Sequence, residues 1–282
     1  MSQPDNGIQF IYFTVGHNPP ISLRYNCAVK EACRPTIANT SVEWHGSNYH
    51  TVLITMAPRR HFKLPDSVFR QRFRRRLLGW YARNGRDLPW RHTQDPYHIL
   101  VSEVMLQQTQ VDRVLPKYKE WLERFPSFEA LAAVSAKQAT RLWYPLGYNV
   151  RPRRLHAIAR TVVKQHAGKL PSDTVTLLTF KGLGKYTEGA VQSFAFGQRA
   201  AILDTNVARV LFRVFVQKGD LKSSATNKHL WALSEQLLPR KHVFDFNQAL
   251  MDLGAMVCVA RQPRCDQCPM RKICLTFRTL ND

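Results

Sequence analysis

Four cysteines near the end of the chain are spaced closely enough to hold one metal centre. They form a C-x6-C-x2-C-x5-C array within 17 residues and are Cys258, Cys265, Cys268 and Cys274. Because no export signal is evident at the N-terminus, a disulfide scaffold is a poorer explanation than a metal site. Zinc sites usually pair two Cys-x-x-Cys knuckles, whereas this array has only one, which favours a [4Fe–4S] cluster. Cys27 and Cys33 lie far away in a dissimilar segment, and we assign them no ligand role.

The carboxyl group of Glu103 lies in a segment apolar enough to raise its pKa. The segment SEVMLQQTQV, 102–111, predicts a helix whose apolar members near Glu103 are Val104, Leu106 and Val111. The segment also offers uncharged donors and acceptors, which suit base edges better than phosphates, at Gln107, Gln108 and Thr109. Taken alone, the segment is equally typical of the polar face of an ordinary helix.

A glycine hairpin opens directly into a predicted helix in FKGLGKYTEGAV, 180–191. Gly182 and Gly184 allow a sharp turn that brings amide groups close to an anion at the helix N-terminus. Lys181 and Lys185 add positive charge nearby. Such a hairpin is more often an ordinary turn, but a basic chain raises the prospect of DNA phosphate binding. It is not a Walker loop, because the Gly-Lys-Ser/Thr ending is absent.

A second carboxyl group, that of Asp204, follows an apolar run in ILDTNVARV, 202–210. Asp at this position is an ordinary helix N-cap. In a functional interpretation, the same carboxylate faces a cleft beside the hairpin and stabilises positive charge on a sugar.

The composition indicates a folded, basic protein. The 282 residues carry a formal net charge of +21, with 44% hydrophobic and 22% charged residues. This apolar content can form a core, so a wholly disordered chain is excluded, and no apolar run is long enough to span a membrane. Most of the basic excess lies in residues 65–282, and nucleic acid is the commonest intracellular polyanion.

From Asp66 onward the sequence is helical almost throughout, and we predict an all-α fold without internal repeats. A first helix follows Asp66 and ends at Asn84-Gly85, and further helices are predicted around 97–109, 112–124, 128–134, 138–144, 151–166, 174–179, 186–196, 204–217, 227–237 and 245–257. Residues 1–64 are polar and lack periodicity. We interpret them as a poorly ordered extension, or as the product of a start codon placed too far upstream, with Met56 as the later candidate.

Together these segments resemble the helix-hairpin-helix (HhH-GPD, or endonuclease III) superfamily of DNA glycosylases, and within it the MutY-type adenine DNA glycosylases. The resemblance runs from about Leu64 to Thr276. Besides the cysteine array, the motifs that carry it are LPWR (88–91), SEVMLQQTQV (102–111), LGY (146–148), GLGKYTEGAV (182–191), LDTNV (203–207) and FNQALMDLGAMVC (246–258).

The resemblance implies a six-helix barrel domain beside a helical iron–sulfur cluster domain. The barrel would comprise residues 88–203, with the helix-hairpin-helix at about 177–196, and the cluster domain would combine 65–87 with 204–282. The [4Fe–4S] cluster would be structural and would position DNA, and the protein would act as a monomer on double-stranded DNA that contains a mispaired adenine. We expect a cytoplasmic, nucleoid-associated protein with no membrane partner.

The resemblance also implies roles for individual residues in base excision, in which the target base is flipped out of the duplex. Glu103 would protonate the leaving adenine and then help to activate water, and Asp204 would stabilise the oxocarbenium-like sugar. Tyr186 would line the sugar pocket, with Asn206 orienting Asp204. The residues that match the pocket around the base are Arg91, Gln108 and Asp252. Those that match the surface wedged into the duplex are Gln107, Thr109, Leu146 and Tyr148.

Position 186 separates two kinds of glycosylase. Endonuclease III relatives carry a lysine there as a Schiff-base nucleophile, whereas this chain has Tyr186. At a second position, where some adenine glycosylases have a lysine, this chain has Ala208. We therefore expect base removal without efficient strand cleavage. The sequence departs from the family pattern at Asn149, Lys181, Glu188 and Thr205 and ends eight residues after Cys274, before the family's 8-oxoguanine-recognition domain. The preference for 8-oxoguanine over guanine opposite the adenine therefore stays open.

Two alternatives accompany the adenine hypothesis. A thymine or uracil mismatch glycosylase of the same fold can share a tyrosine at position 186. The other alternative is a non-catalytic iron–sulfur DNA-binding module. Such a module would be expected to lack one of the two carboxylates, yet Glu103 and Asp204 are both present.

Overall fold

The computed structural model describes residues 64–279, together with the backbone of two strands within residues 1–26. Strands β1 (Ile8–Phe13) and β2 (Ile21–Asn26) pair antiparallel, with Ile8 opposite Asn26. The sequence analysis predicted no strand pair in this region, although both segments are rich in β-favouring residues. The other interpretations of residues 1–64, including Met56 as a start and the setting of Cys27 and Cys33, lie outside the described residues.

The prediction of an all-α fold is confirmed for residues 64–279. The helices are α1 (Ser67–Asn84), α2 (Pro96–Leu106), α3 (Val111–Arg124), α4 (Phe128–Ala133), α5 (Ala136–Trp143), α6 (Val150–Gln165), α7 (Thr174–Thr179), α8 (Lys185–Phe194), α9 (Thr205–Leu211), α10 (Ser224–Leu237), α11 (Val243–Asp252) and α12 (Leu275–Thr279). Short π-helical segments continue α9 through Phe212–Val216 and α11 through Leu253–Val257. No helix in the described part of the chain is both long and apolar enough to cross a bilayer.

Two hydrophobic clusters organise the helical part. One contains Trp121 and draws on α2 to α8, and the other contains Phe246 and draws mainly on α1 and α9 to α11. Helices α2 and α8 contribute to both, since neighbouring residues such as Ile99 and Leu100 belong to different clusters. A helix buried on all sides must be apolar all round, which explains the composition of α2. The division into a barrel at 88–203 and a cluster domain at 65–87 and 204–282 stays a prediction.

Helix α2 ends earlier than the sequence predicted. It stops at Leu106, Gln108 has a positive φ of 57°, and Val111 begins α3. The prediction that Val111 shares a helix with Glu103 was therefore wrong. The physical reason is that Arg151 of α6 binds the last carbonyl groups of α2, which caps the helix from a distant part of the chain.

Candidate active site

A large cleft lies where α2 and α8 meet the start of α9. It has a volume of about 1140 Å³, and the loop after α2, the start of α6 and helix α11 complete its walls. The structure thus brings together side chains that are far apart in the sequence, from Arg86 to Ala255. The predicted site residues that line it are Arg91, Glu103, Gln107, Gln108, Thr109, Tyr148, Tyr186, Asp204 and Asn206.

Glu103 is a buried acid at the floor of this cleft. Its side chain projects from α2, the residue is only 3% exposed, and its Oε2 atom has no hydrogen-bond partner within the described protein. Burial raises the pKa of Glu103 to about 7, and the negative charge of Asp204 adds to the rise, while a hydrogen bond from Tyr186 opposes it. A large fraction of this carboxyl group is therefore protonated near neutral pH, with one oxygen available to a ligand.

Asp204 caps α9, as predicted, and its carboxyl group also lines the cleft. Its Oδ1 accepts a hydrogen bond of 2.7 Å from the Val207 amide, which caps α9, and its Oδ2 accepts one of 3.0 Å from Asn206 Nδ2. The same carboxyl group lines the cleft. Burial raises the pKa of Asp204, although these hydrogen bonds favour the charged form. The cap therefore fixes the orientation of a carboxylate that faces the cleft.

Tyr186 lies beside both carboxyl groups as a neutral phenol. Burial, together with the negative charges of Glu103 and Asp204, raises the pKa of Tyr186 well above its usual value. Its hydroxyl also lies 3.4 Å from Met251 Sδ. The neighbouring Lys185 does not line the cleft: its Nζ atom lies 4.0 Å from the centre of the Trp231 ring and 3.2 Å from a Glu235 oxygen. The described cleft therefore places a phenol, and not the Lys185 amine, beside the carboxyl groups.

Asp252 lies beneath the pocket wall and not in it. Its fully buried carboxylate accepts two hydrogen bonds from Arg91, of 2.7 and 2.8 Å, and two from Arg86, of 2.7 and 2.9 Å. Burial acts to raise its pKa, but Arg91 and Arg86 hold the pKa of Asp252 below its usual value. The expectation that Asp252 contacts the base is thus corrected, because both its oxygens are occupied. It positions two arginines that do line the cleft, of which the sequence analysis missed Arg86.

Leu146 and the hairpin glycines also lie outside the cleft. Leu146 is 3% exposed and packs in the core, which corrects its assignment to the surface that wedges into DNA, whereas Tyr148 is 60% exposed at the cleft. Gly182 has φ of +106°, and a Cβ atom there would lie 2.6 Å from Arg154 Cδ. Gly184 is the N-cap of α8. The hairpin thus has the predicted turn geometry, and its DNA-binding role stays a prediction.

Arg151 holds together the two loops that frame the cleft mouth, and the sequence analysis missed it because it lies in an arginine-rich run. The side chain is buried, and its guanidinium lies over the rings of Trp143 and Tyr148, at 5.2 and 5.3 Å from their centres. It donates hydrogen bonds to one hydroxyl and five carbonyl groups: Thr109 Oγ1 and the carbonyls of Val104, Met105, Gln107, Leu146 and Gly147. One planar cation therefore joins the end of α2 to the loop before α6.

Replacing Arg151 with Lys is expected to destabilise the fold by about 2–4 kcal/mol, because an ammonium group cannot reach both loops and leaves buried carbonyls unpaired. Urea denaturation followed by circular dichroism measures this loss. The matched control is Arg153→Lys, since Arg153 lies on the exposed side of the same helix turn and should tolerate the change. Equal stability of the two variants would show that Arg151 does not brace the loops.

None of the four cysteines of the array forms a disulfide. The Cys268 thiol is close enough to the other three for their charges to interact, and burial raises the pKa of Cys268 to about 12. Arg213 lies between members of the array: its Nη1 is 3.4 Å from Cys258 Sγ, and its carbonyl oxygen accepts a hydrogen bond of 3.3 Å from Cys274 Sγ. Among residues 64–279, no three His, Cys, Asp or Glu side chains are arranged closely enough to coordinate a metal ion.

A chain of hydrogen bonds joins the cleft to the cysteine array. Asn206, which donates to Asp204, accepts a hydrogen bond of 2.8 Å from Arg209 Nη2. Arg209 Nε donates to the carbonyl of Cys258 at 2.8 Å, and Nη2 also reaches the carbonyl of Gly254. At Gly254 a Cβ atom would lie 2.6 Å from Asn206 Cβ, so this close approach requires glycine. The first cysteine and the capping carboxylate therefore share one rigid connection.

Comparison with known proteins agrees with this geometry. The family described as "HhH-GPD superfamily base excision DNA repair protein" matches residues 101–236. The chain is 44% identical over 211 residues to the human protein named adenine DNA glycosylase. The alignment covers 72% of this chain and 39% of the human protein. It is also 44% identical over 197 residues to the adenine DNA glycosylase of Mycobacterium tuberculosis, covering 69% of this chain and 64% of that one. The chain thus spans about two fifths of the human relative's length.

The fold is similar to a solved structure over most of the described residues. A structure titled "Structure of a thermostable thymine-DNA glycosylase" superposes with a TM-score of 0.70 at 34% identity, covering 76% of this chain and all of the other.

Proposed function

Because this chain belongs to the HhH-GPD superfamily of base excision DNA repair proteins, we propose that it is a DNA N-glycosylase that releases adenine mispaired with 8-oxoguanine or guanine. The observation that carries this proposal is the pairing of Glu103, with a pKa of about 7, and Asp204 in one cleft. Hydrolysis of an N-glycosidic bond needs an acid for the leaving base and an anion for the developing sugar cation, and the two carboxyl groups supply these functions.

The reaction begins with a flipped adenine in the cleft. Protonated Glu103 donates its proton to a ring nitrogen of the base, which converts the base into a neutral leaving group as the bond to the sugar breaks. The Asp204 carboxylate stabilises the oxocarbenium-like sugar, and Tyr186, which remains neutral, lines the cleft beside the two carboxyl groups. The Glu103 carboxylate then removes a proton from the attacking water. The result is free adenine and an abasic site.

Adenine is favoured as the substrate for a chemical reason. Its departure gains from ring protonation, which a buried acid supplies, and the departure of a pyrimidine gains less. The human and mycobacterial relatives are both named adenine glycosylases. The second candidate, a thymine or uracil mismatch glycosylase, is favoured by the likeness to the thymine-DNA glycosylase structure. A non-catalytic module is a weaker proposal, because both carboxyl groups are retained in one cleft.

We also propose that the cysteine array holds a [4Fe–4S] cluster. The four thiols supply the donor set that such clusters take, none of them is in a disulfide, and the Cys268 thiol is close enough to the other three for their charges to interact. Cys258, Cys265, Cys268 and Cys274 would be its ligands, and the bound cluster would supply a rigid cross-link to the end of the chain. The net charge of +21 supports binding to double-stranded DNA. The monomeric state and the cytoplasmic, nucleoid-associated setting stay predictions.

Single-turnover base release tests the proposed function. The purified protein is incubated in excess with duplexes that carry A, T or U opposite guanine or 8-oxoguanine, and the released bases are measured. We expect release of adenine alone, and strand breaks only after alkali, because Tyr186 cannot form a Schiff base and Lys185 lies outside the cleft. Release of thymine or uracil without adenine would support the second candidate. A borohydride-trapped adduct through Lys185 would contradict base removal without strand cleavage.

A further inference from the structure

A second hollow, separate from the main cleft, lies between α5 and the start of α6. It has a volume of about 750 Å³. We refer to its polar wall as the Tyr144 surface, which consists of Lys137, Arg141, Tyr144, Asn149 and Arg153. Neither the proposed chemistry nor the motifs of the sequence analysis make use of this surface.

The Tyr144 surface carries positive charge without nearby compensation. Lys137, Arg141 and Arg153 are exposed, and no acidic side chain lines the hollow. None of the three cations has an ion-pair partner among residues 64–279. Three cations that converge on one hollow indicate an anionic ligand that is larger than a single carboxylate.

Tyr144 presents an aromatic ring to solvent from a braced loop. The residue is 77% exposed. Its ring therefore buries little apolar area and adds little to the stability of the fold. The backbone around it is fixed, because Arg113 Nη2 donates to the Pro145 carbonyl at 2.7 Å and Trp143 Nε1 donates to the Gly147 carbonyl at 3.1 Å. Tyr148, at the other end of this loop, lines the main cleft. One rigid loop therefore presents two aromatic rings to two neighbouring hollows.

The cations extend the basic surface around the start of α6. Arg153 also lines a third hollow, of about 620 Å³, together with Arg154 and Lys181. Arg154 in turn lines the main cleft, where Glu103 lies. A strand that occupies the cleft can therefore continue past α6 along a series of positive side chains.

We propose that the Tyr144 surface binds the sugar–phosphate backbone of one duplex arm beside the mispair. This inference rests on the proposed function, which supplies a DNA duplex in the main cleft. Arginine, lysine, asparagine and tyrosine side chains are typical phosphate-binding groups, and the braced Tyr144 ring packs against the deoxyribose. The contact involves one arm only, because Tyr144 lines this hollow whereas Tyr148, at the other end of the same loop, lines the main cleft.

The test combines a double variant with asymmetric DNA. Binding is measured at several salt concentrations for wild type and for Arg141→Gln/Arg153→Gln, using a duplex with two long arms and two duplexes with either arm shortened. We expect shortening of one arm, and not the other, to weaken wild-type binding. The double variant should bind the long duplex more weakly than wild type, and shortening that arm should not weaken its binding further. Its slope of log binding constant against log salt concentration, the salt slope, should be smaller by about two, which corresponds to two phosphate contacts.

A matched control removes the same charge elsewhere. Arg72 and Arg75 are exposed on α1 and line none of the three hollows, so Arg72→Gln/Arg75→Gln should keep the sensitivity to the arm. Tyr144→Ala should weaken binding to the sensitive arm without changing the salt slope. Circular dichroism confirms that each variant is folded.

Two outcomes would overturn the proposal. One is a double variant that keeps the wild-type salt slope and arm sensitivity, and the other is an equal effect of both double variants on both arms. Because binding is measured without base release, these outcomes are distinct from failure of the proposed function. The proposed function would fail if the wild-type protein bound the long duplex but released no adenine.

Discussion

Replacing Glu103 with Gln is expected to lower the single-turnover rate of adenine release by about two to four orders of magnitude, the usual contribution of a general acid. The amide has nearly the same shape as the carboxyl group, so the cleft is preserved, but it has no acidic proton to donate. Excess enzyme on an A·8-oxoguanine duplex measures the rate of the chemical step. Binding of the same duplex, measured in parallel, should change little.

The control for this prediction is another buried glutamate. Glu188 on α8 is 8% exposed and accepts a hydrogen bond of 2.6 Å from Thr174 Oγ1, but it does not line the cleft. Glu188→Gln should therefore release adenine at close to the wild-type rate. If Glu103→Gln and Glu188→Gln had equal rates, Glu103 would have no part in proton transfer.

The pKa of Glu103 also predicts how the rate depends on pH. Because burial raises the pKa to about 7, the protonated form is abundant below that pH and is lost above it. The single-turnover rate at subsaturating enzyme should fall as the pH rises through about 7, and this fall should be absent in Glu103→Gln. A wild-type rate that stayed constant from pH 6 to about pH 9 would contradict a role for protonated Glu103.

The same shift makes Glu103 costly to the fold at high pH. The folded state holds this proton up to a pKa of about 7, whereas the carboxyl group releases it near 4.5 when exposed, so wild-type stability falls as the pH rises between these values. The loss amounts to at most about 3 kcal/mol. Glu103→Gln escapes it and should be more stable than wild type at pH 8 by urea denaturation, with a smaller difference at pH 5.

The sequence was sufficient to predict most of the helices, because their signals are local. Asp66 and Asp204 cap α1 and α9 as predicted, and the hairpin between α7 and α8 follows from two glycines that are close in sequence. The cysteine array was equally visible, since its four members lie within one segment. Glu103 could be picked out because apolar residues, among them Val104 and Leu106, lie close to it in the sequence.

Contacts between distant segments could not be predicted in this way. Arg151 ends α2 from more than 40 residues away, and its sequence neighbours suggested only a solvated basic run. Asp252 was placed in the base pocket because its motif matched, yet Arg86 and Arg91 occupy both of its oxygens. The core position of Leu146 likewise depends on tertiary packing. Most residues that line the cleft were therefore predictable, but the residues that hold them in place were not.

Replacing Asp204 with Asn is expected to separate its two roles, lowering the single-turnover rate by about two to three orders of magnitude while leaving the fold intact. Asn caps helices about as well as Asp, so its side-chain oxygen can still accept from the Val207 amide, although the hydrogen bond from Asn206 Nδ2 is lost because an amide has only one oxygen. Because burial raises the pKa of Asp204, removing the charge does not cost the folded state. The oxocarbenium-like sugar, by contrast, loses the anion that faces it.

The companion variant Asp204→Ala removes the cap as well as the charge. It should match Asp204→Asn in its loss of rate and be less stable by about 1 kcal/mol, the usual cost of losing an N-cap. Urea denaturation and single-turnover release, measured on the same preparations, give the two quantities independently. If Asp204→Asn kept the wild-type rate and only Asp204→Ala lost activity, Asp204 would be a helix cap without a role in the chemistry. Loss of rate at full stability in Asp204→Asn is the result that assigns the charge itself to the reaction.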